Sequence, residues 1–465
     1  MTQAGVTAAS AVAPQTAGGE FGALVRVAGP LAAAYIAEMA ISVTDTIIVG
    51  RLGSVELAAV GITANLYFSL LFVAMSVVSV VAVLAAEAHA KNDPEGVAHA
   101  ARQGFWVSIG LTVPGLLIGW YIAPILRFLG QDPAILPFAE AYVRAMMWCF
   151  LPYLWFSVLR SMMTALGSTG SVFFITVASI LLNLGLNIVF VFGHLGVPAM
   201  GVAGAGWAST IVCWTMLLAL AAEVAWSKRY LRYRVFHALR RIDPQTIGQI
   251  LRLGLPAGGM AGAEGGFFTA CALLMGVLGA SALAANQIAI MFLSTMFMVP
   301  AAISHAAAAR VAFNIGLGDP RAGRRSGHVA MMTVIGYMLF SAAIVLSFPV
   351  TIANLFLDPE MEGNEAVIDL AVQLLFVAAI YQVADGMQIA ATGALRGLKD
   401  TVMPLAIGLC GYWVTGLGSA ALFAFGFGWG PIGIWWGMAL GLTVTAILLT
   451  LRFERVSRRL LPAGA

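Results

Sequence analysis

The stretch VRVAGPLAAAYIAEMAISVTDTIIVGRLGSVELAAVGI (residues 25–62) returns later in the chain as LRLGLPAGGMAGAEGGFFTACALLMGVLGASALAANQI (residues 251–288). The two align without a gap at an offset of 226, and eleven of 38 positions are identical. Among these are Arg26/Arg252, Pro30/Pro256, Glu38/Glu264, Gly50/Gly276, Gly53/Gly279 and Leu57/Leu283. Apolar helices share hydropathy by chance. A matched Arg, Pro, Glu and Gly-x-x-Gly in register does not arise that way. The chain is therefore read as a duplicated unit.

The material that is duplicated is membrane helix. Of 465 residues, 61% are hydrophobic and 10% charged, against about a quarter charged in an ordinary soluble domain. Apolar runs long enough to cross a bilayer, about 20 residues each, recur along the chain. Twelve are expected, at 26–49, 57–86, 104–126, 137–163, 171–192, 202–226, 247–274, 281–308, 327–356, 366–393, 401–425 and 431–452. Gly-, Pro- and Asp-rich punctuation such as KNDPEG, GSTGS, GLGDPRAGRR and DPEMEGNE separates them. Six spans per half is an even number, so both halves enter and leave on the same side. The expected fold class is thus an all-α polytopic membrane protein, with twelve transmembrane helices in two six-helix lobes related by a parallel pseudo-two-fold repeat.

Lys and Arg set the orientation. With the N-terminus inside, SKRYLRYRVFHALRR, RAGRR, RGLK and RFERVSRR all fall on the inner side, and only Arg51, Arg127 and Arg144 fall outside. Both termini are expected to be cytoplasmic. The N-terminus has no basic residue before Arg26, so it is no secretory signal. The division reads as a disordered cytoplasmic tail (1–24), an N-terminal lobe (25–226), a basic cytoplasmic linker (227–246) touching anionic lipid, a C-terminal lobe (247–452) and a cytoplasmic tail (453–465). The linker is too short and too tethered for a nucleic-acid patch. Cys149, Cys213, Cys271 and Cys410 sit singly in apolar runs, so neither a disulfide nor a metal site is expected from them. No Gly-Lys pair, His-Glu-x-x-His or Gly-x-Ser-x-Gly occurs, which removes the nucleotide-loop and common hydrolase readings. The chain reads as no enzyme and as needing no cofactor beyond a coupling ion.

Four acidic residues lie deep inside spans: Glu38 and Asp45 in the first, Glu264 in the seventh, Asp385 in the tenth. Each costs roughly 2.5–3.5 kcal/mol if left facing lipid, so they must face protein interior or water. No intramembrane Arg or Lys stands out to pair with them, since Arg144 and Arg160 are expected toward the ends of the fourth span. A carboxylate without a partner in a low dielectric holds a proton or recruits a cation; the alternative is a carboxylate that only bonds the backbone of a broken helix. Helical spacing puts Tyr381, Gln388 and Thr392 on one face with Asp385, and Ser42 with Glu38 and Asp45. Asn183 and Asn187 are one turn apart in the fifth span, and Asn286 and Gln287 lie in the eighth. Carboxylate with amide oxygens suits a hard cation such as Na⁺; a carboxylate alone suits a proton; the amides equally serve as helix-packing contacts. Phe267 and Phe268, in EGGFFTACALLM, line a pocket for flat amphipathic molecules or simply pack.

Three segments carry a resemblance. VTDTIIVGRLGSVELAAVGI, RLGLPAGGMAGAEGGFF and YQVADGMQIAATGALRGLKD resemble the first, seventh and tenth helix segments of the MATE (multidrug and toxic compound extrusion) transporters, and the likeness runs over nearly the whole chain. Acidic residues in the seventh and tenth helices point to the NorM-type branch. The resemblance implies export of cationic amphipathic compounds in exchange for a monovalent cation, Na⁺ or H⁺, by alternating access. It implies cation coupling at Glu264 and Asp385 with Tyr381, where Na⁺ would bind in a sodium-coupled protein. It also implies an N-lobe acidic or drug site at Asp45, Asn183 and Asn187. Glu38 departs from the pattern and is read as a second acidic point beside them; Gln287, Asn286, Gln388, Phe267 and Phe268 are the pocket candidates. The expected partners are cationic drugs, the coupling ion and membrane lipid, with no nucleic acid, and a monomer. A flippase for lipid-linked precursors and a major-facilitator-type transporter are the alternatives; the first needs basic cavity residues for phosphate.

Overall fold

A computed structural model describes residues 16–357 and 364–461. Among these residues there is no strand, and twelve helices are long and apolar enough to span a bilayer. They are α1 (Ala17–Gly50), α2 (Ser54–Ala90), α3 (Pro94–Trp120), α4 (Leu136–Ala165), α5 (Gly170–Phe192), α6 (Val202–Trp226), α7 (Pro244–Leu278), α8 (Ala280–Gly316), α9 (Pro320–Ser347), α10 (Asn364–Gly397), α11 (Val402–Gly426) and α12 (Gly430–Arg459). The all-helical class follows from the solvent: inside a bilayer every backbone N–H and C=O must be satisfied within the segment itself. Residues 358–363, most of the acidic DPEMEGNE loop, lie outside the described residues, as do residues 1–15 of the expected N-terminal tail and residues 462–465.

Several helices outrun their apolar cores. α1 starts at Ala17 rather than within a disordered tail ending at 24, and α12 continues to Arg459 rather than stopping at 452. Glu20 explains the first. It is 1% exposed, accepts from Arg310 Nε (2.9 Å) and Nη2 (2.7 Å), and accepts from Ser326 Oγ (2.8 Å). Phe453, fully buried, explains the second. Likewise α3 begins at Pro94, not 104, and α9 at Pro320, not 327. Both open on an Asp-Pro pair. Asp93 Oδ1 accepts from Gly96 N and Asp319 Oδ1 from Ala322 N, each at 2.9 Å, with proline at the first helical position. Asn92 and Gly318, just before the caps, both take positive φ (59° and 77°). These capped starts keep the repeat register seen at Glu38/Glu264 (93 to 319, 94 to 320). Hydropathy marks only the apolar stretch; the hydrogen-bond ladder continues through the charged turns.

The helices pack as two units. One comprises the described residues up to Ala32 together with those from Gly259 onward; the other is Ala33–Gly258. α1 and α7 are therefore each divided between units, whereas the sequence suggested cuts at the linker. In the unit containing the C-terminal half, α10 is the central helix and packs on α8, α9 and α12. Leu374, Leu375, Ala378, Ala390 and Ala394 of α10 are fully buried there. In the other unit α4 packs on α2, α3 and α6. The basic linker is docked rather than loose. Trp106 Nε1 donates to Leu239 O (2.8 Å), Gln103 Nε2 to Arg241 O (2.9 Å), and Tyr230 OH to Ser168 Oγ (2.6 Å). Asp243, near its end, accepts from Thr246, His99 and the Gln245 N–H, which together hold its carboxyl down to about 2.

α11 leaves regular α geometry twice, at the π-helical turns Cys410–Gly416 and Leu422–Gly426. It lies against a small-residue row on α12: Gly433, Gly437 and Gly441. A Cβ at Gly437 would come within 2.2 Å of the Ala420 backbone nitrogen, and one at Gly441 within 2.5 Å of Gly416 Cα. The contact is backbone on backbone, so it cannot relax by a rotamer change. Gly437→Val is expected to cost about 1–3 kcal/mol or more and to cut the monodisperse fraction surviving a heat step in detergent. An unchanged melting profile by size-exclusion chromatography would show that α11 and α12 do not pack this closely.

Candidate functional site

Two groups of polar side chains sit among apolar helices, one in each unit. In the unit of α8–α12, Glu264 (α7) and Asp385 (α10) meet at Gln388, one turn beyond Asp385. Gln388 Nε2 donates to Glu264 Oε1 at 2.8 Å and, more weakly, to Asp385 Oδ1 at 3.4 Å. Its Oε1 accepts from Tyr412 OH at 2.6 Å. One amide nitrogen is thus shared by two carboxylates. The second oxygen of each takes no hydrogen bond, and neither carboxylate makes an ion pair, among the described residues. Asp385 is 6% exposed and Gln388 fully buried.

Aromatic side chains wall this group. Phe267 stacks on Tyr412 (5.6 Å between centroids, 13°), Phe268 meets Tyr381 edge-on (6.3 Å), and Tyr381 leans on Trp435 (5.5 Å). Trp435 Nε1 donates to Asn286 Oδ1 at 3.1 Å. The expected set Glu264, Asp385, Tyr381, Gln388, Phe267 and Phe268 is therefore brought together, with Asn286 behind Trp435. Tyr381 joins through its ring. Gln287 does not join: it is exposed on the surface of its unit. Tyr412 and Trp435 were missed, since aromatic residues in apolar spans look like packing. The one available signal at Tyr412 is its setting, CGYWVTG, where two glycines bracket it. A π-turn there fits the frequent use of such turns at functional sites.

In the other unit Asp45 (α1) is gripped by three donors. Asn187 Nδ2 (2.7 Å) and Asn183 Nδ2 (3.0 Å), both from α5, reach Oδ1, and Ser209 Oγ from α6 reaches Oδ2 (2.8 Å). The side-chain carbonyl oxygens of both asparagines are buried without a partner among the described residues. Asp45 makes no ion pair among the described residues. The asparagine pair was legible from its one-turn spacing; Ser209 was not, because a single serine in WASTIVCW carries no pattern.

Glu38, read from the sequence as a second acidic point without a partner, is an ion-paired carboxylate in the structure. Arg160 Nη1 donates to its Oε1 at 2.6 Å and Tyr153 OH to its Oε2 at 2.7 Å. Arg160 does lie toward the end of α4, but it is only 4% exposed, with its guanidinium over the rings of Tyr35 (5.0 Å) and Phe156 (5.4 Å). The expectation that no intramembrane cation was available fails here. The repeat shows what distinguishes the mates Glu38 and Glu264. Gly167 and Lys399 are the positive-φ residues that follow α4 and α10. Counting back from them, Tyr153 corresponds to Asp385 and Arg160 to Thr392. Where Glu38 meets a phenol and a guanidinium, the corresponding positions beside Glu264's unit core hold a carboxylate and a threonine.

Comparison with known proteins accords with this architecture. The MatE family profile matches residues 30–189 and 256–422, two stretches that begin at the same offset as the internal repeat. A protein called probable multidrug resistance protein NorM, from Pseudomonas aeruginosa, is 40% identical over 443 residues, covering 95% of this chain and 91% of its own. A Pseudomonas putida protein of the same name is 38% identical, covering 97% of each. Among solved structures, the eukaryotic MATE transporter AtDTX14 superposes with a TM-score of 0.84 at 22% identity, covering 95% of this chain and 98% of that one. An outward-facing multidrug resistance MATE family transporter also gives 0.84, at 19% identity and 96% and 97% coverage. At those identities the structures speak for the fold alone.

Proposed function

Because this chain belongs to the MATE family, in its NorM-type branch, and is a multi-pass membrane transporter, we propose that it is a secondary antiporter that exports cationic amphipathic compounds in exchange for Na⁺ or H⁺. It works in the bacterial inner membrane by alternating access, with both termini in the cytoplasm. The observation that carries this reading is the convergence of Glu264 and Asp385 on one amide nitrogen, with no cationic side chain paired to either among the described residues.

Two negative charges that share a donor repel each other in a low dielectric. A monovalent cation or a proton entering between their free oxygens relieves that repulsion. Tyr412 holds the Gln388 carbonyl, which leaves its NH₂ turned toward the carboxylates; a cation that displaces it must reorient Gln388. Occupancy then differs between two conformations, and a ligand shifts such an equilibrium only by its differential affinity. Asp45, with Asn183, Asn187 and Ser209, serves as the second acidic site, for a proton or a cationic drug. The gradient supplies about 2.3 kcal/mol per charge per 100 mV, plus the concentration term.

Everted vesicles loaded with a fluorescent lipophilic cation test this. Imposing a Na⁺ gradient and a pH gradient in turn is expected to drive uptake with one or both, and collapsing both should abolish it. Uphill movement that persists with both gradients collapsed would sink the antiport reading.

A further inference from the structure

We propose that the arginine-rich end of α9 is a binding site for an anionic phospholipid. An open cavity of about 750 Å³ is bounded by Phe21 of α1 and by Arg321, Arg324, Arg325, His328 and Met332 of α9. This is within the size range of small-ligand sites; it lies in one unit, and none of Glu38, Asp45, Glu264 and Asp385 lines it.

Three arginines line the cavity, and the acidic side chains beside it are shared or engaged elsewhere. Glu454 of α12 accepts from Arg324 (2.6 Å) and His328 and lies 3.5 Å from Arg458. It is therefore already shared among three cationic or titratable groups. Two further acidic residues lie at this end: Glu20 is spent on Arg310, and Asp319 caps α9 by accepting from Ala322 N. Arg321 is exposed and makes no ion pair among the described residues. The cavity keeps a surplus of positive charge.

The rest of its wall is apolar and outward-facing. Phe21 is 49% exposed and Met332 72% exposed, and further along the same helix Leu339 (55%) and Phe340 (64%) continue the apolar surface. From Arg324 to Met332 the helix rises about 12 Å. A ligand matched to this arrangement has phosphate at one end and hydrocarbon at the other. Arginine suits the phosphate through its forked donors, and anionic headgroups gain about 1 kcal/mol per basic residue near a membrane surface. Free phosphate shares the headgroup chemistry but leaves the apolar half of the cavity unused.

Native mass spectrometry of the detergent-purified full chain, with phosphatidylglycerol or phosphatidylethanolamine added, reads the site directly. Wild type is expected to retain phosphatidylglycerol in preference to phosphatidylethanolamine. Arg321→Ala should weaken that retention about fivefold, and Arg321→Ala with Arg325→Ala about twenty-five-fold. Met332→Glu should weaken phosphatidylglycerol without affecting inorganic phosphate, whose effect is read as a thermal shift. Equal retention of the two lipids, or retention unchanged in Arg321→Ala and the double variant, overturns the proposal. So does stabilisation by inorganic phosphate that equals the lipid's and survives Met332→Glu, which would assign the cavity to free phosphate. Arg321 is exposed, so its single variant tests the site even where the double variant fails to fold.

Discussion

Asp385→Asn is expected to reach the membrane at wild-type level and to leave cells as drug-sensitive as cells without the transporter. Asparagine is nearly isosteric, and its Oδ1 can still accept from Gln388 Nε2, so the packing of α10 on α8, α9 and α12 is undisturbed. What disappears is one of the two charges that make cation binding favourable. Glu264→Gln should do the same. Because the pair acts as one site, Asp385→Asn with Glu264→Gln should be little worse than either alone, the non-additivity expected of residues sharing a partner. Drug accumulation with membrane abundance measured alongside checks this. Wild-type efflux from Asp385→Asn would remove the ion-coupling role from this cluster, and additive losses would show that the two carboxylates act separately.

Arg160→Met acts through stability instead. Glu38 would be left with Tyr153 as its only bonded partner among the described residues. Removing one member of a buried ion pair costs about 3–5 kcal/mol, because the other charge stays behind. The variant should lose most of its heat-resistant monodisperse protein in detergent. Arg160→Met with Glu38→Gln should recover much of that loss, since replacing both members of such a pair is often close to neutral. If Glu38 instead served as an independent ion site, Glu38→Gln alone would abolish efflux while leaving thermal stability intact. Failure of the double variant to recover would show that Arg160 does more than neutralise Glu38, its stacking on Tyr35 and Phe156 being the other contact at stake.

The tenth span illustrates how far periodicity reached. Tyr381, Asp385, Gln388 and Thr392 recur at helical spacing, and the face they define is buried in the folded unit. The asparagines of α5 were visible for the same reason. Ser209 and Tyr412 were not, because each stands alone on its own helix and gains meaning only from a partner elsewhere in the chain: Asp45 for one, Gln388 for the other. The helix ends at Ala17 and Arg459 were misplaced because hydropathy falls before the hydrogen-bond ladder does. Glu20 and Phe453, which hold those ends, are buried by contacts made far along the chain.

By itself the sequence determined that the chain crosses a membrane twelve times, that it is a duplication, and that matched glutamates sit at the same depth in each half. Those properties depend on local composition and on register, and both can be read along one dimension. Only the tertiary structure decided which glutamate is neutralised. Glu38 and Glu264 are equivalent by position, but a side chain's charge partner comes from the helix packed beside it. α4 delivers Arg160 and Tyr153 to the first, while α10 delivers Gln388 and a second carboxylate to the other. The difference between a structural ion pair and a candidate ion site therefore lies in neighbours more than one hundred residues away.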